Sequence, residues 1–114
     1  MTTIRLKKIE QQDFLILQDI VAQLRQKSLN KLHNSKVNDS YFNNVLLVDV
    51  TTGLFFNLRT KIENQTKTFS NLKIKVHEAV ILLQCCNDYE PRNALEKFIA
   101  RKYLTEIHKQ ITNL

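Results

Sequence analysis

A single glycine, Gly53, and a single proline, Pro91, stand among 114 residues. All-β folds consume both at their many turns, so this scarcity argues for few, long elements and favours helices. The same shortage excludes whole classes of chemistry: the phosphate loop of nucleotide hydrolases, the dinucleotide fingerprint and the nucleophile elbow each need at least two glycines. The only cysteines, Cys85 and Cys86, are neighbours. A bridge between them would close a strained ring, which fits a reducing compartment and an expected cytoplasmic location. His33, His77 and His108 fall in three different predicted elements, and neither HExxH nor CxxC spacing occurs. Successive helical residues diverge by about 100°, so the two thiols cannot share a metal from a regular helix. No metal or cofactor is expected. The longest apolar runs, Val45 to Val48 and Ala79 to Leu83, fall far short of the roughly 20 residues a bilayer demands, and the charged start has no apolar leader core. No membrane association is expected.

What the chain does contain is ordinary globular material, 43% hydrophobic and 25% charged, in the length of one domain spanning 1–114. Its net charge is +6. Magnitudes of about 2 to 8 are normal for small soluble domains, so the balance alone does not assign a nucleic-acid partner. The excess sits at the two ends: residues 1–36 carry seven Lys/Arg against three Asp/Glu, and residues 73–114 carry seven against five.

From Glu10 to about Leu32, Phe14, Leu17, Ile20, Val21, Leu24 and Leu32 recur at threes and fours, the period of one helix face. This helix is expected to end within Asn30 to Asn38, with Asp39 or Ser40 capping the next. Residues 45–59 are ambiguous. They read either as two apolar strands about a Thr51-Thr52-Gly53 turn, or as a helix with a Leu47, Leu54, Phe55, Leu58 and Ile62 stripe. The helix is preferred, because neither run alternates cleanly and an interior glycine costs a helix only about 1 kcal/mol. A polar loop follows over Asn64 to Ser70, and Leu72 to Val76 alternates as an extended segment. A short helix is expected over about His77 to Asn87. A long last one should start near Asp88 to Pro91, on the ladder Leu95, Ile99, Tyr103, Ile107 and Ile111. The expected fold is all-α, a compact bundle of about four helices with a short extended segment near 72–76; the alternative is α+β with a hairpin at 45–59.

Two surfaces stand out as candidates. Lys97, Arg101, His108 and Lys109, with Lys102 at the margin, project away from the last ladder and form a basic stripe suited to phosphates, though Glu96 and Glu106 dilute it. Arg5, Lys7 and Lys8 make a second basic group, read as a flexible arm or a solvated terminus. On the short helix, Val76, Ala79, Val80, Leu83 and Cys86 share a broad apolar face, leaving Ile81 and Cys85 on the opposite side; Leu46 and Val50 lie off the stripe of the second helix. Leu46, Val50, Ile81 and Cys85 are therefore the candidate protein contacts. No carboxylate pair or base-activated nucleophile is apparent. The expectation is a non-catalytic interaction or structural module that binds another protein or itself; the alternative is a nucleic-acid-binding accessory protein using Lys97, Arg101, Lys102 and Lys109.

Overall fold

The three-and-four spacing of apolar residues after Glu10 produces the helix it implies. The computed structural model describes residues 3–34, 39–64 and 68–114, and α1 runs over Gln11–Asn34 with Phe14, Leu17, Ile20, Val21 and Leu24 buried. The end of the expected inter-helix loop, 35–38, lies outside the described residues, as does the Asp39 side chain proposed as a cap. The second helix, α2, covers Asp39–Asn64 and packs along α1 as a helical hairpin. Leu54 and Leu58 are its fully buried apolar residues.

The ambiguity at 45–59 resolves as helix. Thr51 and Thr52 turn their hydroxyls back onto carbonyls of the preceding turn: Thr51 Oγ1 donates to Leu47 O at 2.5 Å and Thr52 Oγ1 to Val48 O at 2.6 Å. That back-bonding satisfies Thr51 in a fully buried position and suits a β-branched pair to the helix interior. Thr52 Oγ1 also accepts from Arg25 Nε at 2.8 Å, tying α2 to α1. Gly53 has no positive φ and serves no turn.

The expected extended segment is the second of two strands. β1, Thr3–Glu10, and β2, Phe69–Lys75, pair antiparallel with Ile4 opposite Ile74, Arg5 opposite Lys73 and Leu6 opposite Leu72. Residues 3–8 are thus not a free arm, although Arg5, Lys7 and Lys8 are all exposed. The register breaks between Leu6 and Ile9, where Lys8 takes φ 56° and donates its N–H to Asn71 Oδ1 at 3.2 Å. This bulge returns Ile9 to the buried side. Gln110 closes the outer edge of β1: Arg5 N–H donates to Gln110 Oε1 at 3.1 Å, and Gln110 Nε2 donates to Arg5 O at 2.7 Å.

β2 passes directly into α3, Val76–Asp88, where Glu78 Oε1 accepts from Lys75 N at 2.9 Å. Its rotation differs from the expected one. Ala79, Leu82, Cys85 and Cys86 are buried, Ile81 and Leu83 pack partly against the core, and Val80 is exposed. The last helix, α4, is Ala94–Thr112 and starts later than expected: Asn93, not Asp88, is its cap, accepting from Glu96 N at 2.9 Å. Leu95 and Phe98 are exposed, and the inward ladder is Glu96, Ile99, Ala100, Tyr103 and Ile107. The described residues form four helices with a small antiparallel sheet packed by α1, α3 and α4. No helix among the described residues is long and apolar enough to cross a membrane.

Candidate functional site

A carboxylate inside the α4 ladder needs partners, and residues flanking Pro91 supply them. Glu96 accepts from Arg92 N at 2.8 Å and from Arg92 Nη2 at 2.9 Å, and Arg92 Nη2 also reaches Asp19 Oδ2 on α1 at 3.0 Å. The Tyr89 hydroxyl lies 2.8 Å from Asp19 Oδ2 and 3.0 Å from Glu96 Oε1, so its single proton serves two carboxylates. The side-chain and backbone hydrogen bonds from Arg92 hold the Glu96 carboxyl down to about 2. Burial, then the bonds to Asp19 and Glu96, push the Tyr89 phenol up. The Glu96 carboxyl, shifted down, is the opposite of a general acid's, and the cluster fastens the 89–93 connector to α1.

A second knot lies at the start of α1. The Tyr103 hydroxyl donates to the buried Asp13 Oδ2 at 2.6 Å, and burial followed by this bond raises its pKa. Lys102 Nζ stands 3.6 Å from the same oxygen and 5.2 Å from the Tyr103 ring centroid. Lys102 is thereby committed to a neighbour, unlike Lys97, Arg101 and Lys109, which are exposed and in no ion pair among the described residues.

The thiols are also held in an unreactive form. Burial pushes Cys86 up to about 12 and Cys85 higher still, which keeps both protonated near neutrality. Cys85, a candidate protein contact on the sequence, is 1% exposed and belongs to the core. The reason is that α3 is buried around the Leu82 and Cys85 side and not around Val80. Ile81 and Val50 are half-buried against the core, and Leu46 alone of the four stands fully out. Among the described residues no group of three or more His, Cys, Asp or Glu side chains is arranged to hold a metal.

Leu46 belongs to a larger surface. On α2 the exposed residues Phe42, Leu46, Asp49, Gly53, Phe56 and Thr60 follow one another at threes and fours, with Val45 beside Leu46, along the side away from Leu54 and Leu58. Phe42, Val45, Leu46 and Phe56 are 58, 41, 62 and 55% exposed. Together they leave on the order of 400 Å² of apolar surface to solvent, the size of the largest patch on an ordinary monomer and one that is often functional. Phe42, Val45 and Phe56 do not stand out in the sequence because the inward stripe through Leu54 and Leu58 is equally apolar; the outward period of 42, 46, 49, 53 and 56 is the signal that marks this face.

Three open grooves accompany these features. One of about 590 Å³ lies between β1 and α4, lined by Arg5, Lys7, Lys102, Tyr103, Glu106 and Gln110. Another of about 440 Å³ includes Cys86, Tyr89, Lys97, Arg101 and Leu104. The third borders the Asp19 and Arg92 pair. Lys102 therefore looks toward the sheet, while Lys97 and Arg101 look elsewhere, so the basic stripe is divided. No family model, curated protein or solved structure matches this chain.

Proposed function

We propose that this protein is a non-catalytic interaction module that pairs with a second copy of itself through the outer face of α2. The observation that carries this reading is the outward stripe of Phe42, Val45, Leu46 and Phe56, four large apolar side chains left to water on one helix. The stripe is self-complementary. An antiparallel pairing about a two-fold axis at Thr51 sets Leu46 of one copy against Phe56 of the other and, by the same symmetry, Asp49 against Gly53. Leu46 and Phe56 meet, Phe42 falls opposite Thr60 and Val45 opposite Asn57, and the one charge in the stripe faces the one position without a side chain. A Cβ added at Gly53 would have nothing within 4 Å, so the space Asp49 needs is open.

The area sets the strength. A standard stable interface covers about 800 Å² per partner, and the stripe supplies roughly half of that before its rim is counted, so the pairing belongs with small, transient interfaces and is sought from micromolar concentrations upward. Sedimentation equilibrium over that range is the test. The wild type is expected to shift from monomer to dimer with concentration, and Leu46→Glu to remain a folded monomer throughout. A wild type that stays monomeric at the highest concentration, or a Leu46→Glu protein that still dimerises, overturns the pairing.

A further inference from the structure

The two strands send Ile4, Leu6, Ile9, Leu72 and Ile74 into the core. Alternation therefore turns Arg5, Lys7, Lys73 and Lys75 to solvent, all exposed, with Lys8 beside them at the bulge. Arg5 lies directly opposite Lys73 in the register. Like charges in that relation repel across a separation of about 5 Å, and sheets ordinarily avoid them. Among the described residues none of the five is in an ion pair, although Lys27, Arg59, Arg92 and Lys102 each have a carboxylate partner. No acidic residue occurs between Thr3 and Lys8 or between Asn71 and Lys75; Glu10 and Phe69 close the far end of the face. Protection of a sheet edge against aggregation does not account for Arg5, because Gln110 already occupies the outer edge of β1 there.

We infer that the outer face of the β1–β2 ribbon, through Arg5, Lys7, Lys8, Lys73 and Lys75, binds the phosphates of a double-stranded nucleic acid without reading its sequence. The shape fits, since a two-stranded ribbon is the width a major groove of about 12 Å admits. Alternate residues of each strand set their charges about 6.6 Å apart, in two parallel rows. A single strand is disfavoured as ligand because aromatics do not alternate with the charges to stack on unpaired bases. An anionic membrane is disfavoured because the ribbon carries only Phe69 as an apolar anchor. The groove beside β1 is lined by Arg5 and Lys7 but also by Glu106, and its Lys102 is paired with Asp13, so the unpaired charge stays on the ribbon; Lys97 and Arg101 line a different groove.

The experiment measures fluorescence anisotropy of a labelled duplex DNA of random sequence with the full chain, compared with two variants that change net charge equally. One reverses the ribbon, Lys7→Glu with Lys73→Glu; the other reverses the α4 stripe, Lys97→Glu with Arg101→Glu. With about four to five phosphates neutralised, wild-type affinity should fall on the order of 10²-fold between 50 and 200 mM salt. The ribbon pair should weaken binding at least tenfold at fixed salt, and the α4 pair by less than about threefold. Lys7→Gln with Lys73→Gln, which adds no new charge, should weaken binding and flatten the salt slope while leaving the circular dichroism spectrum unchanged. Equal losses in the two charge-reversed proteins, no binding by the wild type at low salt, or capture by phosphatidylserine vesicles without duplex binding would each overturn the assignment.

Discussion

Glu96 shows how one residue sets both a rotation and a pH response. Its carboxyl is held at about 2, below the ordinary 4.5, by hydrogen bonds from Arg92. Ionised, it favours the folded state, so its contribution is complete above about pH 4.5 and is lost as pH falls from there to about 2. Acid titration followed by circular dichroism should find Glu96→Gln less stable than wild type at pH 7, with the two converging near pH 2. The residue was misplaced in the sequence because Leu95 begins a ladder of fours that includes Ile99, Tyr103 and Ile107, and an apolar ladder ordinarily faces inward. The competing signal was Tyr89, Arg92 and Glu96 at spacings of three and four, polar groups able to satisfy one another. Gly53 makes a simpler case. It lies in an exposed, ordinary helical turn with open space around its Cα, so Gly53→Ala should stabilise the fold by about 1 kcal/mol. Urea unfolding in the monomeric Leu46→Glu background checks this without interference from association.

At the scale of elements, legibility followed periodicity. α1 was plain because a single stripe is apolar and the rest polar. α2 was ambiguous because it is apolar on two sides, one for the core and one for solvent, and such a helix has no clear polar face to set its period. β1 was missed although Thr3 to Lys7 alternates as strictly as β2 does. The bulge hid it: Ile4, Leu6 and Ile9 are spaced two and then three, which breaks the strand period midway. That bulge places Lys8 at φ 56°, a conformation costing a side-chain-bearing residue about 1 kcal/mol or more. Lys8→Gly should therefore raise the melting temperature and Lys8→Val should lower it, by amounts corresponding to roughly 1 kcal/mol in each direction, as read by differential scanning calorimetry. α3 was rotated in the sequence reading because Val76, Ala79, Val80 and Leu83 outnumber the residues on the other side. Packing against both α1 and α4 instead buries Leu82 and Cys85.

Over the whole molecule, the two proposed surfaces lie on separate elements: α2 packs on α1 and α3, and the ribbon is held by α1, α3 and α4. The neat charge of +6 is therefore unevenly distributed. Repulsion between Arg5 and Lys73 makes the free protein salt-sensitive in an unusual direction. Raising ionic strength from about 10 to 150 mM, which shortens the Debye length from roughly 30 to 8 Å, should stabilise it. Lys73→Glu should raise stability at low salt by about 0.2 to 1 kcal/mol and flatten the response, measured by thermal unfolding in sodium chloride.

The pairing of β1 with β2 also sets an order of events during synthesis. Thr3 finds its partner in Lys75, and everything in α1 and α2 lies between them. At about 5 to 20 residues per second, roughly 3 to 13 seconds separate the emergence of Glu10 from that of Lys75. In that interval Ile4, Leu6 and Ile9 have no strand to join, while the α1–α2 hairpin closes from neighbouring sequence within a small fraction of the time. The ribbon thus assembles only after the α1–α2 hairpin, and the nascent chain carries an unpaired apolar strand until β2 has emerged.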